Sequence, residues 1–306
     1  MKEQKRLAFC WDFTVTPAQL YQWRDGLNEA LRIIAEKYNV IVQVFASDDE
    51  EQIWEDLRHF KPTHILAWGS LDRPSFAGLK DYGVPVGLCF AGGPTEHPFS
   101  SIFDVIFVEN DNYVTDFKKQ GLPVVKAFGT NDRLFRPKQL PIQWKGIYTA
   151  SFAAWKRHHL FYEAIGDEGL AVGKVAEEEI DCFTSAKLTK TAIMPEVPYE
   201  VLPYLYNQSE IAIIPAKAGG QRSVLEAMAC NLFVIVCNDN VTTTEYVKDS
   251  FWGYAVDPTV EAIKEAIKKY DKSKNKIDLS LGRKYIENNY SAMQYADTLY
   301  NNLMRN

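Results

Sequence analysis

Two periodicities alternate along this chain, and their order is the first structural information it carries. Short apolar runs at Leu7–Trp11, Val40–Phe45, His64–Trp68, Val84–Phe90, Val105–Val108 and Val124–Ala127 have the length and composition of buried strands. Between the first two, Leu20, Trp23, Leu27, Leu31, Ile34 and Ala35 recur at helical spacing, which predicts an amphipathic helix over Pro17–Tyr38. A second helix is expected from Asp48 to Phe60. Strands that alternate with helices imply a mainly parallel sheet covered on both faces.

The segment Arg136–Lys145 (RPKQLPIQWK) is polar and proline-bearing, and the pattern restarts after it. Strands are expected at Gly146–Thr149, Leu170–Val172, around Thr191–Met194, and at Ile211–Ile214, Phe233–Cys237 and Tyr254–Val256. Helices are expected at His158–Ile165, Tyr199–Asn207, Ser223–Cys230, Thr243–Lys248 and Thr259–Tyr270, with a last amphipathic helix over Leu281–Met304. The reading is α/β: two Rossmann-like, doubly wound domains over residues 1–138 and 139–285, closed by a helical segment, 286–306. Such sheets bind ligands outside the carboxyl ends of their strands. If the two sets of ends face each other, a cleft forms between the domains.

Composition narrows this picture. A chain of 306 residues suits two domains of about 150. The net charge of −6 weighs against a polyanion-binding surface and so against nucleic acid as a partner. Aromatics make up 13% of the residues, a surplus that serves core packing or a site gripping flat or sugar-like ligands. The basic start at Lys2, Lys5 and Arg6 precedes too short an apolar run for a signal peptide, and no stretch reaches the length of a membrane span. Cys10, Cys89, Cys182, Cys230 and Cys237 are odd in number, scattered and mostly inside apolar segments. Reduced thiols in a cytoplasmic setting are therefore expected.

Candidate chemistry concentrates in the second half. Gly219 and Gly220 permit positive φ and close backbone approach ahead of a helix. That helix start, capped by Ser223 or Gln221, is a natural seat for a diphosphate. Glu226 lies one turn in, either as an acceptor for ribose hydroxyls or as a salt-bridged helix residue. Lys156 stands between a strand and a helix, at the crevice end, where its ammonium can offset a leaving diphosphate. The alternative is a solvated cation in a basic cluster with Arg157, His158 and His159. In the first half, Trp11–Thr16, Gly69–Arg73 and Ala91–His97 follow strands. Asp12, Glu96 and His97 are the acid–base or hydrogen-bonding candidates there. His59 and His64 are read as packing residues. No His/Cys/Asp spacing for a metal is apparent.

The stretch Pro195–Asp239, PEVPYEVLPYLYNQSEIAIIPAKAGGQRSVLEAMACNLFVIVCND, resembles the donor-binding core of the retaining group 1 glycosyltransferases, whose fold is GT-B. Tyr148–Ala164 (YTASFAAWKRHHLFYEA) and Phe128–Pro137 (FGTNDRLFRP) resemble two further family segments in the same order. The resemblance covers roughly positions 120–306. It implies a UDP- or GDP-sugar donor, no prosthetic group, transfer with retention, no required metal, and a closing helix that returns to the first domain. The donor residues it points to are Ser151, Lys156, Gly219, Gly220, Gln221, Arg222, Ser223 and Glu226. Two departures stand out: Ala218 occupies the place of the family's first glutamate, and Ser151 that of an arginine. Arg222 is the expected replacement cation, unless it is simply an exposed helix-start residue. The acceptor is expected to be a glycan, a lipid-linked molecule (which would bring the protein to a membrane surface) or another small molecule. Two other readings stand beside this one: a phage-type DNA-base glycosyltransferase, and a non-catalytic nucleotide-sugar binder.

Overall fold

The computed structural model describes residues 4–11, 25–46, 49–175, 180–181, 189–195, 197–247 and 251–305. They form two compact units, the first of residues 1–129 and 291–306 and the second of residues 130–290.

The first unit contains β1 (Arg6–Trp11), α1 (Gly26–Tyr38), β2 (Ile41–Ala46), α2 (Glu50–Phe60), β3 (His64–Gly69), β4 (Val86–Phe90), β5 (Val105–Val108), α3 (Asp111–Lys119) and β6 (Val124–Lys126). Its parallel sheet runs β2-β1-β3-β4-β5-β6. Period-two alternation in β1 divides the core. Leu7, Phe9 and Trp11 pack with α1 on one face, and Ala8 and Cys10 with Ile53 and Leu57 of α2 on the other. The helix expected from Pro17 begins at Gly26, capped by Asp25, whose carboxylate accepts from the Asn28 amide at 2.9 Å; positions 17–24 lie outside the described residues. Helix α3 was not anticipated. Its signal is the Asn110 cap, which accepts from the Tyr113 amide at 3.0 Å, with Phe117 buried one turn on.

The second unit contains β7 (Trp144–Thr149), α4 (His158–Ile165), β8 (Gly169–Gly173), β9 (Ala192–Pro195), α5 (Leu202–Asn207), β10 (Ser209–Ile214), α6 (Gln221–Ala229), β11 (Phe233–Cys237), α7 (Val241–Thr244), β12 (Gly253–Val256), α8 (Val260–Ser273) and α9 (Ser280–Asn289). Its parallel sheet runs β12-β11-β10-β7-β8-β9. Counted within the unit this is the Rossmann order, and chain direction across the sheet reverses between β7 and β10. That reversal opens a crevice at the carboxyl ends of these two strands.

Two boundaries differ from expectation. The units divide at Gly129/Thr130 rather than after residue 138. Residues 130–138 pack with α5 of the second unit and the turn before it: Phe135 is fully buried against Tyr199 and Tyr206, and the Lys138 amide donates to Asn207 Oδ1 at 2.5 Å. The single closing helix expected over Leu281–Met304 is instead α9, α10 (Ala292–Leu299) and a π-helical end, Tyr300–Met304. Ser291 breaks it by capping α10, its hydroxyl accepting from the Gln294 amide. From there the chain belongs to the first unit: Tyr295, Leu299 and Leu303 join the core cluster of α1. The helix expected at Thr243–Lys248 is the shorter α7, and Lys248 lies outside the described residues. Among the described residues no helix is long and apolar enough to cross a membrane. Cys10, Cys89, Cys230 and Cys237 are buried free thiols, with burial raising each thiol's pKa; Cys182 is outside the described residues.

Candidate functional site

The crevice at the β7/β10 reversal is built from two loops, residues 150–157 after β7 and 215–220 after β10. Hydrogen bonds tie them directly. The Lys217 amide donates to the Trp155 carbonyl at 2.8 Å, and Lys156 Nζ donates to the Ala218 carbonyl at 2.9 Å. Tyr148, buried in β7, donates its hydroxyl to the Lys156 carbonyl at 2.8 Å. The Lys156 ammonium is therefore held over the glycine turn.

That turn requires glycine. Gly219 and Gly220 have φ of 66° and 98°, and a Cβ on Gly220 would come within 2.9 Å of Ile214 Cγ2. A Cβ on Gly219 would come within 2.7 Å of Lys156 Nζ. Gly220 is itself the N-cap of α6, without a side-chain cap. The expected Ser223 cap is thus replaced: at the third helical position, its hydroxyl donates to the Thr149 carbonyl at 2.6 Å and stitches α6 to β7. Gln221, the first helical residue, is buried, and Arg222 beside it is exposed. The amino end of α6 carries partial positive charge, so the turn, the helix end and Lys156 together make an electropositive seat.

Asn240 and Gly173 were not singled out from the sequence, and Arg157 was named there only beside Lys156, without its partner. Buried Asn240 donates to both the Ala216 and Gly219 carbonyls at 2.8 Å, locking the loop after β10. Arg157 forms a two-pronged pair with Asp239 at 3.0 and 2.7 Å, which lowers the Asp239 pKa. Gly173 ends β8 against the backbone at Ala150. Gly173, Asp239 and Asn240 share one signal, a position at or just beyond a strand's carboxyl end.

The Lys156 ammonium is exposed, but two of its basic neighbours are not free cations, since Arg157 is paired with Asp239 and His158 is buried. His158 is buried between Phe152 and Tyr148, with ring centroids 4.8 and 4.7 Å away. Burial, with the nearby Lys156 charge, pushes its pKa down to about 3, so it is neutral. His159 is exposed, and Ser151 is half-buried in the loop after β7.

Glu226 is 2% exposed, and its carboxylate accepts from Tyr199 and from Tyr206, the latter at 3.3 Å. Tyr206 also meets the Thr149 hydroxyl, and burial first, then Glu226, raises its pKa well above normal. In this arrangement the carboxylate is part of an internal network rather than open to a ribose. Helical spacing placed Glu226 near the loop but gave no view of the tyrosines, which arrive from α5 and the turn before it.

In the first unit, the loops after β3 and β4 are joined by the Ala91 amide, which donates to the Gly69 carbonyl at 2.9 Å. His97 is half-buried there; its Nδ1 accepts from the Phe99 amide at 3.2 Å, capping a short 3₁₀ turn (Pro98–Ile102). Glu96 is exposed. Asp12 lies outside the described residues, as does the rest of the expected loop after β1. His64 is buried beside Thr63 as a packing residue, whereas His59 is exposed at the end of α2 and its Nδ1 meets the Glu55 carbonyl at 2.9 Å. No cluster of three metal-ligating side chains occurs among the described residues.

Comparison with known proteins bears on this site. Residues 143–291 match the family described as Glycosyl transferases group 1. No curated protein matches the chain by sequence. Among solved structures, Anabaena Alr3699/HepE in complex with UDP is similar with a TM-score of 0.72 at 11% identity, over 97% of this chain and 99% of that one. A glycosyltransferase from Rickettsia africae ESF-5 gives a TM-score of 0.72 at 14% identity, over 99% and 100% of the two chains. Sucrose-phosphate synthase (tll1590) from Thermosynechococcus elongatus gives 0.73 at 12%, over 97% and 98%. At such identities the likeness establishes the fold, the two-domain α/β architecture expected from the sequence.

Proposed function

We propose that this chain transfers a sugar from a nucleotide-sugar donor to an acceptor, a reading supported by the match of residues 143–291 to the family described as Glycosyl transferases group 1. The observation that carries the proposal is the Lys156 ammonium, 2.9 Å from the Ala218 carbonyl, over a glycine turn that opens a helix at the sheet's reversal point. Cleavage of the bond between sugar and diphosphate leaves negative charge on the diphosphate. Preorganised donors aimed at that charge lower the barrier. Here they are Lys156, the backbone amides of the Gly219–Ser223 segment and the Arg222 guanidinium, with the Ser151 hydroxyl on the opposite loop. No metal is needed in this scheme.

UDP-sugars are the favoured donors, with GDP-sugars next. The HepE structures are titled as complexes with UDP and UDP-glucose, which supports uridine. Glu226 contacts a ribose only if Tyr199 gives up its place on the carboxylate. The first unit takes the acceptor (a glycan, a lipid-linked molecule or another small molecule), with His97, Glu96 and Asp12 as its candidate contacts. Transfer proceeds with retention in this reading, in the cytoplasm. Ala218 favours one second reading, a nucleotide-sugar binder without turnover, since no acidic side chain stands on the 215–220 loop.

The test is UDP titration by calorimetry, with UDP release from UDP-glucose followed in parallel. Lys156→Met is expected to weaken UDP binding about tenfold or more, the worth of one charge-assisted hydrogen bond. Undiminished affinity in that variant would refute the site. Binding without any UDP release, even over long incubation with candidate acceptors, would select the non-catalytic reading.

A further inference from the structure

Trp155 is 52% exposed, and among the described residues its indole has no ring or hydrogen-bonding partner. A large ring left in water offers a flat surface that an apolar ligand face can cover, and here it stands next to the Lys156 seat. Its backbone, however, is firmly held. The Trp155 carbonyl accepts from the Lys217 amide at 2.8 Å, the Lys156 amide donates to Ala153 at 2.9 Å, and Arg157 is paired with Asp239. The residue therefore sits on a held turn next to Lys156, whose ammonium reaches the Ala218 carbonyl.

Resting on the donor reading above, we propose that Trp155 binds the transferred sugar, its indole face packing on the sugar's C–H face. A sugar joined to a diphosphate seated at Gly219–Gly220 lies within reach of the 215–220 loop, whose sequence PAKAGG offers no carboxylate to read hydroxyl positions. A pyranose presents an apolar C–H face as well as a hydroxyl rim, and an aromatic ring on a held backbone covers that face with only its two side-chain torsions to order. Recognition by stacking discriminates weakly between hydroxyl epimers. It distinguishes sharply between a donor that carries a sugar and the bare nucleotide.

The experiment compares UDP with UDP-glucose, and GDP with GDP-mannose, by calorimetry on the full-length protein and on Trp155→Ala and Trp155→Phe, with melting temperatures recorded for each. Trp155→Ala is expected to weaken sugar-nucleotide binding about tenfold while leaving bare-nucleotide binding unchanged, and Trp155→Phe to retain most of the affinity. Tryptophan emission should change on adding the sugar nucleotide but not the bare nucleotide, and this difference should vanish in Trp155→Phe. Equal loss for both ligands would show that Trp155 only supports the loop, and no loss for either would show that the ring is idle; each result overturns the proposal. A wild-type protein that binds none of the four ligands overturns the donor reading itself and this inference with it.

Discussion

Gly173→Ala tests whether the loop that positions Lys156 is fixed by close backbone packing. A Cβ built on Gly173 would lie 1.7 Å from the Ala150 carbonyl oxygen and 2.6 Å from its carbon, whereas real Cβ atoms essentially never come within 3.0 Å. The two segments must separate by at least the difference, about 1.3 Å. No rotamer can relieve this, because both partners are backbone. Separation also strains the bonds on either side: Ala150 amide to Val172 carbonyl at 2.9 Å and Phe152 amide to Lys174 carbonyl at 3.1 Å. Overpacking costs about 1–3 kcal/mol, and weakening two hydrogen bonds adds about 1 kcal/mol, for a total of about 2–4 kcal/mol. In a unit of this size that lowers Tm by about 5–15 °C. The same shift carries Ser151 and Lys156 away from the glycine turn, so UDP affinity should fall together with stability. Differential scanning calorimetry with and without UDP reads both effects. A Gly173→Ala protein that melts with wild-type and binds UDP as tightly would refute the packing argument.

Two further predictions concern the buried groups around the site. His158 is pushed down to about 3, against about 6.5 in an unfolded chain. Between those values the unfolded state binds one more proton, so His158 costs nothing above pH 6.5 and removes stability as pH falls toward 3, by at most about 5 kcal/mol. His158→Phe keeps the stack on Phe152 and Tyr148, and urea denaturation should show a shallower loss of stability between pH 6.5 and 4; identical slopes would contradict the assignment. Tyr206→Phe removes the hydroxyl shared by Thr149 and Glu226 and should cost about 1–3 kcal/mol at neutral pH. Combined with Thr149→Val in a double-mutant cycle, it should show clear coupling, and strict additivity would mean that the network is not a unit.

The sequence by itself determined most of the elements and their order, α3 and the break at Ser291 excepted. Phe233–Cys237, Val105–Val108 and His158–Ile165 fall at the residues where periodicity puts them, because burial of a local apolar pattern decides a strand or helix before any distant partner is involved. It also pointed to the glycine turn, since Gly219 and Gly220 are the residue type that takes consecutive positive φ values ahead of a helix without strain. The tertiary structure decided which loops meet. Strand order made β7 and β10 neighbours across a gap of sixty residues of chain, and thereby set Lys156 over Ala218 and Ser223 under Thr149. The same packing turned Glu226 inward to Tyr199 and Tyr206, buried His158 among aromatic rings, and moved the domain boundary to Gly129, where Phe135 finds its pocket. Those outcomes depend on contacts between residues far apart in the chain. A pattern read over one or two turns of backbone holds no record of them.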